Sequence, residues 1–76
     1  MHTLTIAPTR TLPVLVTDHP DRATARAALA VYVSATDTDL QLNQITAAHE
    51  SYDLVSLAHH GVTATATIEP SPRAAL

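Results

Sequence analysis

A chain of 76 residues is one domain that can bury only about 60% of the surface its unfolded form exposes, which excludes a large enclosed active site. Four arginines and no lysine stand against seven acids, a formal charge of −3 that argues against broad electrostatic binding to nucleic acid; without cysteine there is no disulfide staple and no thiolate metal site. Phe and Trp are absent and only Tyr32 and Tyr52 are aromatic, so the core must be thin and built from Leu, Val, Ile and Ala.

Residues 3–7 alternate, with Leu4 and Ile6 on one side and Thr3 and Thr5 on the other, until Pro8, Thr9 and Arg10 interrupt the pattern. This predicts a first strand and a turn. In the next run Leu12, Val14 and Val16 share a face, and Pro13, which cannot donate to a ladder, marks a strand start or an edge. The two runs predict a hairpin.

Residues 17–36 predict a helix about which the rest is organised. Asp18 is placed to accept from the free amides of the first turn, Pro20 has no amide proton to leave unsatisfied, and Asp21 adds negative charge near the positive end of the dipole. Ala25, Ala28, Leu29, Tyr32 and Val33 recur at the spacing that puts them on one stripe, while Arg22, Arg26 and Ala30 turn elsewhere. A stripe so rich in alanine lets the helix backbone lie close to a sheet. The helix is expected to end between Ser34 and Asp37, with no glycine available to close it.

After an acidic loop at 37–39, residues 40–49 predict a weaker strand in which Leu42 and Ile45 break alternation, as a bulge or a late start would require. Glu50 and Ser51 read as a turn into a strand at 52–58 that is apolar on both faces and so suited to the sheet interior. His59, His60 and Gly61 form the next turn, with Gly61 expected at positive φ.

The clearest strand is 62–68, with Val62, Ala64, Ala66 and Ile68 facing one way against Thr63, Thr65 and Thr67, and with Pro70 and Pro72 ending it. Uncharged and free of proline and glycine, it would aggregate if left bare at an edge. It is therefore expected either inside the sheet, between the strand at 52–58 and the first strand, or paired with another chain. The order ββαβββ predicts an α+β fold, an antiparallel sheet of four to five strands with one helix on one face. The domain covers 1–70 and a flexible tail 71–76. A ubiquitin-like β-grasp shares the opening order and is the alternative, although its first and last strands run parallel.

Five histidines invite a metal reading, yet His49 and the adjacent His59 and His60 have no recognised ligand spacing, so no metal or other cofactor is expected. His49, Glu50, Ser51, Tyr52 and Asp53 include the residue types of a hydrolase triad, but neighbours on one hairpin do not converge on a reacting atom, and no catalytic residue is assigned. Arg22 and Arg26, one helical turn apart, offer a phosphate contact that Asp18, a turn earlier, would partly neutralise. Thr63, Thr65 and Thr67 form a threonine row explained by strand propensity. These three threonines and two arginines are the candidate interaction residues. A single glycine rules out glycine-rich nucleotide loops.

The lysine-free, Ala/Thr-rich composition, the segment ARAALAVYV and the closing HHGVTATATIEP resemble small accessory proteins of actinobacteria and their phages, mycobacteriophages among them. That resemblance implies a class in which some members act on host proteins, and it carries over no functional residue. The expected function is a non-enzymatic protein-interaction module, and, where the resemblance to phage proteins is followed, a phage accessory protein acting on a host protein. A small nucleic-acid-binding regulator is the alternative and a metal-dependent enzyme the second. A homodimer that extends or covers the sheet is expected, with an unidentified protein as further partner. The longest apolar run, 27–33, is too short to span a bilayer, so no membrane partner is expected and the location is read as cytoplasmic.

Overall fold

A computed structural model describes residues 1–9 and 13–71. The elements are β1 (His2–Pro8), β2 (Leu15–His19), α1 (Arg22–Ala35), β3 (Thr38–Ile45), β4 (Glu50–Ser56) and β5 (Val62–Pro70). All strand pairs are antiparallel, in the order β2-β1-β5-β4-β3, and the helix contacts the sheet. The α+β expectation holds. The β-grasp alternative fails because β1 and β5 pair antiparallel, Leu4 opposite Ile68. The aggregation-prone run at 62–68 is flanked on both sides, by β1 and β4, so its ladder groups are paired inside the sheet.

The core is the contact of one helix stripe with one sheet face: Leu4, Ile6, Ala25, Leu29, Leu54, Ala64, Ala66 and Ile68 are buried, with Ala28, Tyr32, Val33, Leu40 and Tyr52 packed around them. Four members of this interface, Ala25, Ala28, Ala64 and Ala66, have little side-chain volume, so on the helix side Leu29 and Tyr32 supply most of the bulk that fills it.

The helix starts later than expected. Residues 17–19 belong to β2, and Asp21 rather than Asp18 is the cap: its backbone is extended at φ −149°, and its Oδ1 accepts the Thr24 amide at 2.7 Å. That bond holds the Asp21 carboxyl below its usual range. Asp18 instead accepts from the Thr3 hydroxyl across the hairpin at 2.8 Å. At the other end Thr36 caps Tyr32 O through both its amide and its hydroxyl, and Asp37, at φ 51°, takes the left-handed position usually filled by glycine.

On β2 the register puts Leu15 opposite Ile6 and Val16 opposite Thr5, so Leu15 rather than Val16 is on the helix side, and Val14, Leu15 and Val16 are all exposed. Leu12 and Arg10 lie outside the described residues. As an edge strand β2 conforms to the expectation drawn from Pro13.

Two bulges reset the side-chain alternation. Between Leu42 and Gln44 the register shifts, leaving Asn43 as the extra residue, so Leu40, Leu42 and Ile45 share the helix face opposite Leu54, Tyr52 and Glu50. β3 also begins at Thr38, inside the expected acidic loop, and stops at Ile45, short of His49. A second shift makes Thr63 the extra residue of β5 and sets Val62 opposite Val55, on the open face and out of the row Ala64, Ala66, Ile68.

Glu50 and Ser51 are not a turn. The reversal lies at 46–49, closed by the Thr46 amide on His49 O at 2.7 Å and by the Thr46 hydroxyl, which accepts the His49 amide at 3.0 Å. At the other end of β4 the left-handed residue is His60, at φ 57°, and not Gly61, which has no positive φ and whose added Cβ would meet nothing within 4 Å. Gly61→Ala is therefore expected to leave stability unchanged or raise it by about 0.4–1 kcal/mol, whereas His60→Gly should relieve the cost of the left-handed backbone, stabilising by about 0.5–1 kcal/mol. Denaturant melts of both variants check this. A Gly61→Ala loss above about 1 kcal/mol would return the strained position to the glycine.

Ser71, the first residue of the expected tail, is buried, with its amide on Met1 O at 3.0 Å and its Oγ 2.6 Å from Thr3 Oγ1. Residues 72–76 lie outside the described residues.

Candidate functional site

The two arginines set aside for a phosphate are committed to a carboxylate. Glu50 opens β4 on the helix face and is wholly buried. Arg22 Nε donates to its Oε2 at 2.5 Å, Arg26 Nε to its Oε1 at 2.9 Å, and the Tyr52 hydroxyl to the same Oε1 at 2.5 Å. Arg22 also reaches the carbonyls of Ala47 at 3.1 Å and Thr46 at 2.7 Å, tying the 46–49 reversal to the helix. Burial pushes the Glu50 carboxyl up, but the bonds from Tyr52, Arg26 and Arg22 more than reverse this, and it sits below the ordinary glutamate value. Burial, then the bond to Glu50, pushes the Tyr52 phenol up, and the same carboxylate raises Arg26. Both oxygens of Glu50 are thus occupied and ionised. The arrangement suits a latch between helix and hairpin, and lacks a free lone pair for acid–base work on a substrate. Glu50, rather than Asp18, neutralises the arginine pair.

The remaining triad types are separated by the strand pleat. Glu50 and Tyr52 face the helix, Ser51 and Asp53 the open side, and His49 sits in the reversal. His49 and the pair His59, His60 occupy opposite ends of β4, seven strand residues apart or roughly 23 Å. Among the described residues no group of three or more His, Asp or Glu could hold a metal ion. No described helix is long and apolar enough to cross a membrane.

Of the threonine row, Thr65 and Thr67 lie on the open face, Thr67 between Thr5 and Ser51 in register. Thr63 leaves the row at its bulge, where its hydroxyl donates to Leu54 O at 3.3 Å. Around these threonines the open face is polar, the register adding Asp53 beside Thr65, Gln41 beside Asp53, and Glu69 beside Thr3, while Val16, Val55 and Val62 are apolar members of that face. None of the described arginines is on it.

Two features were not foreseen. The first is the outer edge of β3, where Leu42 and Ile45, turned to one face by the Asn43 bulge, are 59% and 52% exposed. The second is a cavity of about 270 Å³ beyond the helix C-terminus, lined by Pro8, Tyr32, Thr36, Thr38, Leu54, Ser56, Thr63 and Ala64. The break in alternation at 40–45 pointed towards the first; nothing local signals the second, because its lining comes from the helix and four strands.

No protein-family model, curated protein or solved structure matches this chain.

Proposed function

We propose that this chain is a non-enzymatic interaction module that pairs through the outer edge of β3, with a second copy of itself as the occupant. The observation that carries the reading is that β3 ends the sheet with two large apolar side chains uncovered on its helix face, Leu42 and Ile45. An edge strand normally discourages pairing with lysine or proline, and β3 has neither; its bulge at Asn43 leaves the run 38–42 regular. Centred on Leu40, that run is self-complementary when antiparallel. Thr38 then faces Leu42 of the other copy, and the Asp39 carboxylates each face Gln41 rather than one another. A small domain with a core this thin gains most from such an extension. A host protein of a phage-encoded accessory would meet the same edge by strand addition.

The nucleic-acid alternative has less support, since Arg22 and Arg26 are held by Glu50 and the open face carries acids. Light scattering on the full chain tests the dimer. The parent is expected at twice its 8.0 kDa mass at high micromolar concentration, and Leu42→Lys, which places a charge in the seam while leaving the core untouched, at the monomer mass. A monomeric parent removes the reading; a dimer indifferent to Leu42→Lys moves the contact away from β3.

A further inference from the structure

The cavity past the end of α1 has a floor of Pro8, Leu54 and Ala64 and a surround of hydroxyls from Tyr32, Thr36, Thr38, Ser56 and Thr63. Most of those hydroxyl hydrogens are spent inside the protein. Thr36 donates to Tyr32 O at 2.8 Å, Thr38 to Val33 O at 3.4 Å and Thr63 to Leu54 O at 3.3 Å. Two are not. Ser56 Oγ accepts the amides of Ala58 and His59, both at 3.2 Å, which leaves its own O–H to donate. The phenol of Tyr32, half-buried against the core, engages none of the described residues. The spare donor capacity of the lining is therefore two O–H groups beside an apolar floor.

Charge narrows the occupant further. Among the described residues no charged side chain lines the cavity, the negative end of the helix dipole opens on it, and Asp37 follows the helix between the lining residues Thr36 and Thr38. An anion is disfavoured by these, and a cation would find no carboxylate among the described lining residues to pair with over an apolar floor. At about 270 Å³ the space falls just below the ~300–1,000 Å³ of sites for drug-sized ligands. We propose that this cavity is a binding site for a small uncharged molecule of single-ring size that carries a hydrogen-bond-accepting oxygen, held by the hydroxyls of Tyr32 and Ser56 over the floor of Leu54 and Ala64. The site shares Thr38 with the proposed β3 seam, but its two donors, Tyr32 and Ser56, lie off that strand, and the proposal does not depend on dimerisation.

Acetophenone, a neutral ring with one carbonyl oxygen, is the probe, with ethylbenzene lacking the acceptor and benzoate carrying a charge as controls. Amide chemical shifts of the ¹⁵N-labelled full chain are followed in titration. Acetophenone is expected to give saturable shifts concentrated at Tyr32, Thr36, Thr63 and Ala64, ethylbenzene weaker ones and benzoate none. Tyr32→Phe keeps the ring in the core and removes the donor, and should weaken acetophenone by about three- to tenfold without changing ethylbenzene. Thr63→Leu, which fills the space, should abolish both. Absence of saturable shifts up to the solubility of acetophenone, benzoate binding as tight as acetophenone, or equal affinity in Tyr32→Phe would each overturn the proposal. Should Tyr32→Phe disturb the spectrum at large, Thr63→Leu decides: unchanged binding in that variant refutes the site.

Discussion

Leu29→Ala is expected to destabilise the protein by about 2–5 kcal/mol, in the upper part of that range because so little else fills the core. Leu29 is 1% exposed and is the largest aliphatic side chain that the helix contributes to the buried cluster. The sheet's share of that cluster is Ala64, Ala66 and the branched side chains of Leu4, Ile6, Leu54 and Ile68. Alanines cannot reach into a space vacated by three heavy atoms, and strand side chains fixed by ladder pairing on both sides move little. The void would remain, and with it the cavity cost added to the lost transfer energy. With total stabilities of about 5–15 kcal/mol typical of whole domains, this one substitution should remove a large share of the cooperative transition. A denaturant midpoint shifted by an equivalent of under half a kcal/mol would take Leu29 out of the core.

Glu50→Ala is expected to cost about 3 kcal/mol, at the low end of the range for breaking a buried ion pair. The carboxylate is fully buried, but the arginine side chains left behind are 25% and 49% exposed and can recover water. The loss should be felt at a distance, since Arg22 also holds the reversal at 46–49. The pH dependence separates this latch from ordinary packing. The folded carboxyl lies below its unfolded value of about 4.3, so its contribution is complete above that pH and is lost as pH falls through the lower folded value. Parent stability should therefore decline with acid below about pH 4.3, and Glu50→Gln, lower at neutral pH, should show a flatter acid limb. Parallel acid limbs for parent and Glu50→Gln would show that the latch does not contribute to acid sensitivity.

What the sequence determined by itself was whatever depends on neighbours along the chain. Alternation at Leu4 and Ile6, the helical stripe through Leu29 and the run around Ala64 each bury the side they were expected to bury, because pleat and helix periodicity are local geometry. The irregularity at Leu42 and Ile45 was legible as a bulge for the same reason. Tertiary structure decided the rest. Asp18, Pro20 and Asp21 are equivalent start signals within one helical turn, and only the pairing of β2 with β1 assigns Asp18 to Thr3 and leaves Asp21 to cap the helix. Glu50 looked like a turn residue because charge is costly to bury alone. Its partners Arg22 and Arg26 are 28 and 24 residues away, and only the fold brings their charges to it. Gly61 was a natural candidate for positive φ, but the turn bond from His60 N to Ser56 O at 2.8 Å puts the left-handed residue one position earlier. The site followed the same division: the threonines were visible as a strand face, whereas the bare edge of β3 and the spare hydroxyls of Tyr32 and Ser56 exist only where separate strands end beside the helix.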